Sequence, residues 1–226
     1  MSETDGRLLA IGDIHGCFTA LTALERLVNF QEEDRLITLG DYVDRGPDSR
    51  AVVDWLIERH AGGSLVPLLG NHELMMLSAN QSQMQLNQWL ICGGDVALQS
   101  YSNSKGAANL DDVPEAHWEF LISCRPYYET KRHFFVHANA DPKLPLDRQP
   151  DDLRYWEPFN DPEPHESGKT MICGHSRQKE GAPRNIGHAV CIDTGAYGGG
   201  WLTCLDVETG QYWQANQNSE TRTGQL

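Results

Sequence analysis

Two hydrophobic periods alternate along the first third of the chain. Arg7–Ile11 is a short apolar run ending in Gly12-Asp13, which reads as a strand closed by a turn. Phe18, Leu21, Leu24, Leu27 and Val28 then recur at helical spacing, which predicts a helix over about 18–29. Leu36–Leu39 is a second strand-like run, again ended by Gly40-Asp41. Pro47 and Asp48 open a second helix with Val53, Leu56 and Ile57 on one face. Leu65–Leu69 is a third strand-like run and ends in Gly70-Asn71-His72-Glu73. This alternation predicts right-handed crossovers and a mainly parallel sheet. Ligands of such sheets gather beyond the carboxyl ends of the strands. Three neighbouring strand ends would bring Asp13, His15, Asp41 and Asn71 around one crevice.

The pattern then changes. Residues 74–126 read as mostly helical, with polar loops around Ser100–Asn109 and Asp111–Pro114. From residue 131 the runs are short and β-like: His133–Val136, Thr170–Cys173, His188–Ile192, Trp201–Val207 and a last candidate at Gln211–Gln214. Asp141–Glu166 carries six of the eleven prolines and many acids, so a long surface loop is expected there. The tail after Gln214 is polar and expected to fray. With no repeat and no linker-like stretch, residues 1–226 are expected to form a single α/β domain.

Composition narrows the partners. Lys+Arg number 18 against 32 Asp+Glu, a net charge of −14. That balance argues against nucleic acid as a bulk partner and against docking on an anionic membrane surface. No apolar stretch is long enough to span a bilayer, and MSETDGRLL lacks the apolar core of a signal peptide. Cys17, Cys92, Cys124, Cys173, Cys191 and Cys204 show no paired metal-type spacing and are expected to be free, buried thiols. Together these features lead us to expect a cytoplasmic protein.

Candidate chemistry sits at the strand ends. Gly12-Asp13-Ile14-His15-Gly16 offers a carboxylate and an imidazole. Gly40-Asp41-Tyr42-Val43-Asp44-Arg45-Gly46 offers two acids and a guanidinium, and Gly70-Asn71-His72-Glu73 an amide oxygen and an imidazole. His137 and Gly174-His175 end later apolar runs. A nitrogen and oxygen donor set without sulfur suits divalent first-row metals such as manganese, iron or zinc. Asp13, His15, Asp41, Asn71, His137 and His175 exceed what one tetrahedral site needs and suit two metals sharing a carboxylate. His60, His117, His133, His165 and His188 fit no ligand pattern, and Met75, Met76 and Leu77 read as helix core.

GDIHG, GDYVDRG and GNHE in this order, followed by a strand-end His and a GH, resemble the signature of the calcineurin-like metallophosphoesterases. Within them the pattern is similar to the PPP-type serine/threonine protein phosphatases, in their short bacterial and phage form. The resemblance runs from about residue 7 to about residue 207. It implies a β-sandwich flanked by helices and a dinuclear divalent centre, with manganese favoured. Asp13, His15 and Asp41 would hold the first metal, and Asp41, Asn71, His137 and His175 the second. His72 would protonate the leaving alkoxide, Asp44 would orient His72, and Arg45 would clamp the phosphate. Elementary chemistry agrees: an alkoxide leaves poorly without a proton donor, and arginine grips two phosphate oxygens at once. The acidic net charge does not exclude an anionic substrate, because two divalent ions would reverse the sign of the pocket.

The chain departs from the pattern at one point. The family's second phosphate-binding arginine has no counterpart in Arg154-Tyr155-Trp156-Glu157-Pro158, leaving Arg154 and Arg177 as substitutes. Tyr197, in a glycine-rich stretch, could line the site. The expected reaction is hydrolysis of a phosphomonoester, with phosphoserine or phosphothreonine in a protein or peptide as substrate. One alternative is symmetrical diadenosine tetraphosphate hydrolysis, where the second motif usually reads GDLVARG, with Ala at the place of Asp44. The other is a non-catalytic phosphoprotein-binding module.

Overall fold

In a computed structural model, which describes residues 6–102 and 108–226, the first apolar run becomes strand β1 (Leu8–Ile11), buried along its whole length. The N-terminal residues 1–5 and the middle of the Ser100–Asn109 loop lie outside the described residues. Strand residues alternate between faces, and β1 uses both. Leu9 and Ile11 pack under helices, while Leu8 and Ala10 face a second sheet. A strand covered on both sides reads as an unbroken apolar run, as this one does.

Strands β2 (Arg35–Thr38) and β3 (Leu65–Pro67) pair parallel in the order β1-β2-β3. Helix α1 (Phe18–Val28) makes the first crossover and α2 (Ser49–Ala61) the second. Helix α1 buries Leu21, Leu24 and Val28 and stops at Asn29, whose left-handed φ of 51 is tolerated by a short amide side chain. Each fully buried leucine of this kind contributes roughly 1.5–3 kcal/mol. Four further helices follow: α3 (Asn71–Ala79), α4 (Gln83–Trp89), α5 (Asp95–Tyr101) and α6 (Glu115–Ser123). A kinked segment, Leu90–Gly94, joins α4 to α5, with Gly93 at φ +109 at the kink.

The second sheet is built from β4 (Tyr128–Glu129), β5 (His133–Phe135), β6 (Thr170–Cys173), β7 (Arg184–Asn185) and β8 (Ala189–Cys191), in the order β4-β5-β6-β8-β7. Its centre, β5-β6-β8, is parallel. The chain then returns to the first sheet as β9 (Leu202–Asp206), antiparallel to β1, and continues with β10 (Gln211–Ala215) and β11 (Thr221–Gln225). The first sheet is therefore mixed rather than mainly parallel. Leu8, Ile37, Leu39 and Val66 of one sheet meet Phe135, Ile172 and Val190 of the other, so the β core is a two-layered sandwich with helices outside.

Three expectations give way. The tail does not fray after Gln214: residues 221–225 pair along their length with β10, because the Asn216–Glu220 turn is tied by side-chain bonds from Asn216. The proline-rich Asp141–Glu166 stretch contains helix α7 (Asp151–Trp156). Pro150 sets its entry, and its buried Arg154 and Tyr155 anchor it; acids and prolines on the exposed side hid that short helix. Cys92 is exposed, whereas the other five free cysteines are buried. No helix among the described residues is long and apolar enough to cross a membrane.

Candidate metal centre

The carboxyl ends of β1, β2, β3, β5 and β6 converge on one edge of the sandwich. Asp13 and His15 follow β1, Asp41 follows β2, and Asn71 and His72 open α3 just after β3. His137 follows β5 and His175 follows β6. Close packing is possible because Gly40 has φ +95 and lies against Gly70; a Cβ there would meet the Gly70 backbone at 2.6 Å.

Three imidazoles are held by backbone carbonyls. His15 Nδ1–H donates to Val43 at 2.9 Å, His137 Nδ1–H to Leu39 at 2.8 Å, and His175 Nε2–H to Trp156 at 3.2 Å. Such bonds fix the tautomer and leave the other ring nitrogen with its lone pair. Burial keeps all three neutral, lowering His15 to about 3, with Arg45 adding to the effect, and lowering His137 and His175 as well.

The free nitrogens point at other electron-pair donors. His137 Nε2 lies 2.8 Å from Asn71 Oδ1 and 3.4 Å from Asp41 Oδ1, and His175 Nδ1 lies 3.1 Å from the same Asn71 oxygen. Two imidazole nitrogens and the Asn71 carbonyl oxygen thus converge, an arrangement a cation resolves. His15 Nε2 is 3.4 Å from Asp41 Oδ2 and receives Arg45 Nη1–H at 2.9 Å, so a cationic donor already stands against it. Asp41 thus turns one oxygen to His15 and the other to His137. Burial pushes Asp13 and Asp41 well above the ordinary carboxylate range, and neighbouring acids push them further. Two donor groups that share Asp41, one with His15 and His72 and one with His137 and His175, would fit divalent ions.

The remaining candidates separate. Asp13 accepts the His175 backbone N–H on both oxygens, at 3.0 and 3.1 Å. On its side of Asp41 the tight triplet is His15, Asp41 and His72, whose ligand atoms lie within 4.8 Å of one another. His72 Nδ1 is 2.6 Å from Asp44 Oδ2, and its Nε2 is 4.0 Å from Asp41 Oδ2. Burial pushes Asp44 up and His72 down. Arg45 is exposed and carries Tyr197 beside its guanidinium, 4.6 Å from the ring centroid. Tyr197 also meets the His15 ring edge-on at 4.9 Å.

The substitute arginines differ: Arg154 is buried and tied to backbone, whereas Arg177 lies beside the Tyr197 turn and, like Arg45, opposes the burial that raises the Asp193 carboxyl. Arg154 donates to the carbonyls of Gln149 and Leu146, and Arg177 donates to Gly198. The other histidines serve the scaffold; His117, for instance, links Tyr101 Oη and Asp54. Burial raises the Cys17 thiol to about 12, which leaves it protonated.

Three residues escaped the sequence reading. Glu73 accepts four backbone N–H groups around Asp41, and its place three residues after the Gly70 cap was a usable signal. Asp193 ends β8 as Asp13 ends β1, is buried near it, and is raised to about 6 chiefly by that burial. Trp89 bonds to Asp44, and no local pattern announced it.

Comparison with known proteins follows the same lines. The profile of the Calcineurin-like phosphoesterase family matches residues 6–192. The chain is 42% identical over 132 residues to Serine/threonine-protein phosphatase 1 of Salmonella typhimurium, covering 57% of this chain and 57% of that protein. It is 27% identical over 266 residues to a symmetrical bis(5'-nucleosyl)-tetraphosphatase of Proteus mirabilis, covering 90% of this chain and 95% of that protein. Among solved structures, a cold-active protein-tyrosine phosphatase from a psychrophilic Shewanella superposes with TM-score 0.62 at 16% identity, over 96% of this chain and 80% of that one. The converging strand ends, the paired donor sets and the family match over residues 6–192 agree: this chain belongs to the calcineurin-like phosphoesterase family.

Proposed function

We propose that this chain hydrolyses phosphomonoesters, with phosphoserine or phosphothreonine in a protein or peptide as its substrate. The observation that carries this reading is the buried 2.6 Å contact between His72 Nδ1 and Asp44 Oδ2. An alkoxide leaving group needs a proton, and a donor held by a carboxylate is worth roughly 10²–10⁴ in rate. Asp44 accepts the Nδ1–H, which leaves Nε2 to carry the proton given to the leaving oxygen. Arg45, exposed at the mouth of the site, binds the phosphate oxygens, and Tyr197 steadies its guanidinium. Divalent ions held by Asp13, His15, Asp41, Asn71, His137 and His175 would supply Lewis-acid charge and an activated water; the family resemblance favours manganese, and the donor set suits iron or zinc as well.

A second reading is symmetrical diadenosine tetraphosphate hydrolysis, favoured by the Proteus relative that matches 90% of this chain. Rates of manganese-loaded protein on a phosphothreonine peptide and on diadenosine tetraphosphate decide between them. Faster turnover of the peptide supports the proposal. Faster turnover of the dinucleotide replaces it, and turnover of neither sinks both.

A further inference from the structure

We propose that Trp89 is a positioning residue for proton donation by His72, acting through Asp44. The inference rests on the reading of His72 as the proton donor and extends it by one residue. Trp89 Nε1–H lies 2.9 Å from Oδ1 and 2.9 Å from Oδ2 of Asp44, so one donor straddles both oxygens. Asp44 Oδ2 also holds His72 Nδ1, and the Asp44 backbone N–H donates to Ser49 Oγ at 3.1 Å. The carboxylate is therefore fixed in its plane from one side while it orients the imidazole on the other. A hydrogen bond to a charged acceptor is roughly twice as strong as a neutral one. Without the indole N–H, the Asp44 carboxylate is free to turn about its last torsion, and His72 Nε2 loses its aim.

The chain invests unusual backbone in this contact. Trp89 is the last residue of α4, is fully buried, and is followed by the kinked segment Leu90–Gly94 that leads into α5. The kink centres on Gly93, whose φ of +109 lies outside the helical region and is open to glycine. Gly94 lies against the indole, where a Cβ would come within 2.4 Å of ring atoms. Gly93, at φ +109, gives its carbonyl to the Arg45 backbone N–H at 3.2 Å, and a Cβ there would meet Arg45 at 2.8 Å. One turn thus seats the indole that holds Asp44 and braces the residue that follows it. Asp44 itself sits at φ +73.

Trp89→Phe keeps the ring and removes the donor. Incorporation of β-(3-benzothienyl)alanine at position 89 keeps the full indole shape without the N–H, should the phenylalanine variant fold poorly. We expect either change to lower kcat on an alkyl phosphate about 10-fold or more beyond its effect on p-nitrophenyl phosphate, whose leaving group needs no proton. Metal content should stay at the wild-type level, and the change should add nothing in an Asp44→Asn background. In metal-free protein, the indole N–H resonance that Trp89→Phe removes should move when Asp44 becomes Asn. Equal losses on both esters, additivity with Asp44→Asn, or an unmoved resonance would overturn the inference and leave Trp89 as packing. His72→Asn separates the two levels. If it too shows no preference for the aryl ester, the proton-donor reading falls and the inference with it. If it shows that preference and the position 89 variants do not, only the inference falls.

Discussion

Glu73 grips the Asp41 loop from behind: its Oε2 accepts the Asp41 backbone N–H at 2.8 Å and that of Gly70 at 3.0 Å. Its Oε1 accepts from Tyr42 at 2.7 Å and Val43 at 3.2 Å. One fully buried carboxylate therefore satisfies four donors and joins the second motif to the third. Glu73→Gln replaces an acceptor oxygen with an amino group that faces two N–H donors. We expect a loss of about 2–4 kcal/mol in unfolding free energy, measured by denaturant titration. Weaker metal binding should accompany it, since the loop carries Asp41. A variant as stable as the parent would show that the loop holds itself.

Asp41 offers one oxygen toward each donor group. Asp41→Asn should lose both metals from purified, folded protein, checked by elemental analysis. Two metals still bound would refute the bridging assignment.

The first half of the donor cluster could be read from the chain because Asp13, Asp41 and Asn71 each follow a strand end and a glycine, a purely local pattern. Asp13, Asp41 and Asn71 come together for that reason alone. The contact of Asp44 with Trp89 could not be read, since 45 residues separate the partners and nothing near Trp89 encodes the approach. The strand β11 was missed because its sequence, TRTGQ, is exposed and polar; an edge strand needs only backbone pairing. Helix α7 was hidden because only one turn is buried.

Tyr197 and Arg45 form a cation–π pair at 4.6 Å beside His15. Such a pair is worth about 0.5–1 kcal/mol at an exposed site. Tyr197→Leu should therefore raise KM for phosphate esters about 2- to 5-fold, with kcat changed less. Steady-state kinetics on p-nitrophenyl phosphate reads this directly. An unchanged KM would remove Tyr197 from substrate binding.

Far from the site, Asp34 accepts from Arg7 Nε at 3.0 Å, Arg7 Nη2 at 2.5 Å, and the backbone N–H groups of Arg7 and Gln31. Burial raises its carboxyl, but these bonds outweigh burial and hold it below the ordinary value. A carboxyl lowered in the folded state stabilises above its unfolded pKa of about 3.9 and loses that contribution as pH falls through the folded value. Asp34→Asn should cost about 1–3 kcal/mol at pH 7, and the gap from wild type should narrow at acidic pH. A gap that stays constant with pH would assign the cost to packing instead.

Eight non-glycine residues among those described have positive φ, and five of them are His15, Asp41, Asp44, Arg45 and His175. Such backbone costs on the order of 1–3 kcal/mol per residue and persists only where the surroundings enforce it. The sandwich must therefore hold a surplus of stability to keep the edge that gathers the donor cluster in shape. Selection for thermal robustness alone would erode that edge first: glycine at these positions relaxes the backbone while deleting the side chains to which the proposed reaction assigns metal binding, His72 orientation and phosphate binding. Stabilised variants that keep activity should carry their changes in the helices and the inter-sheet core, away from the strand ends.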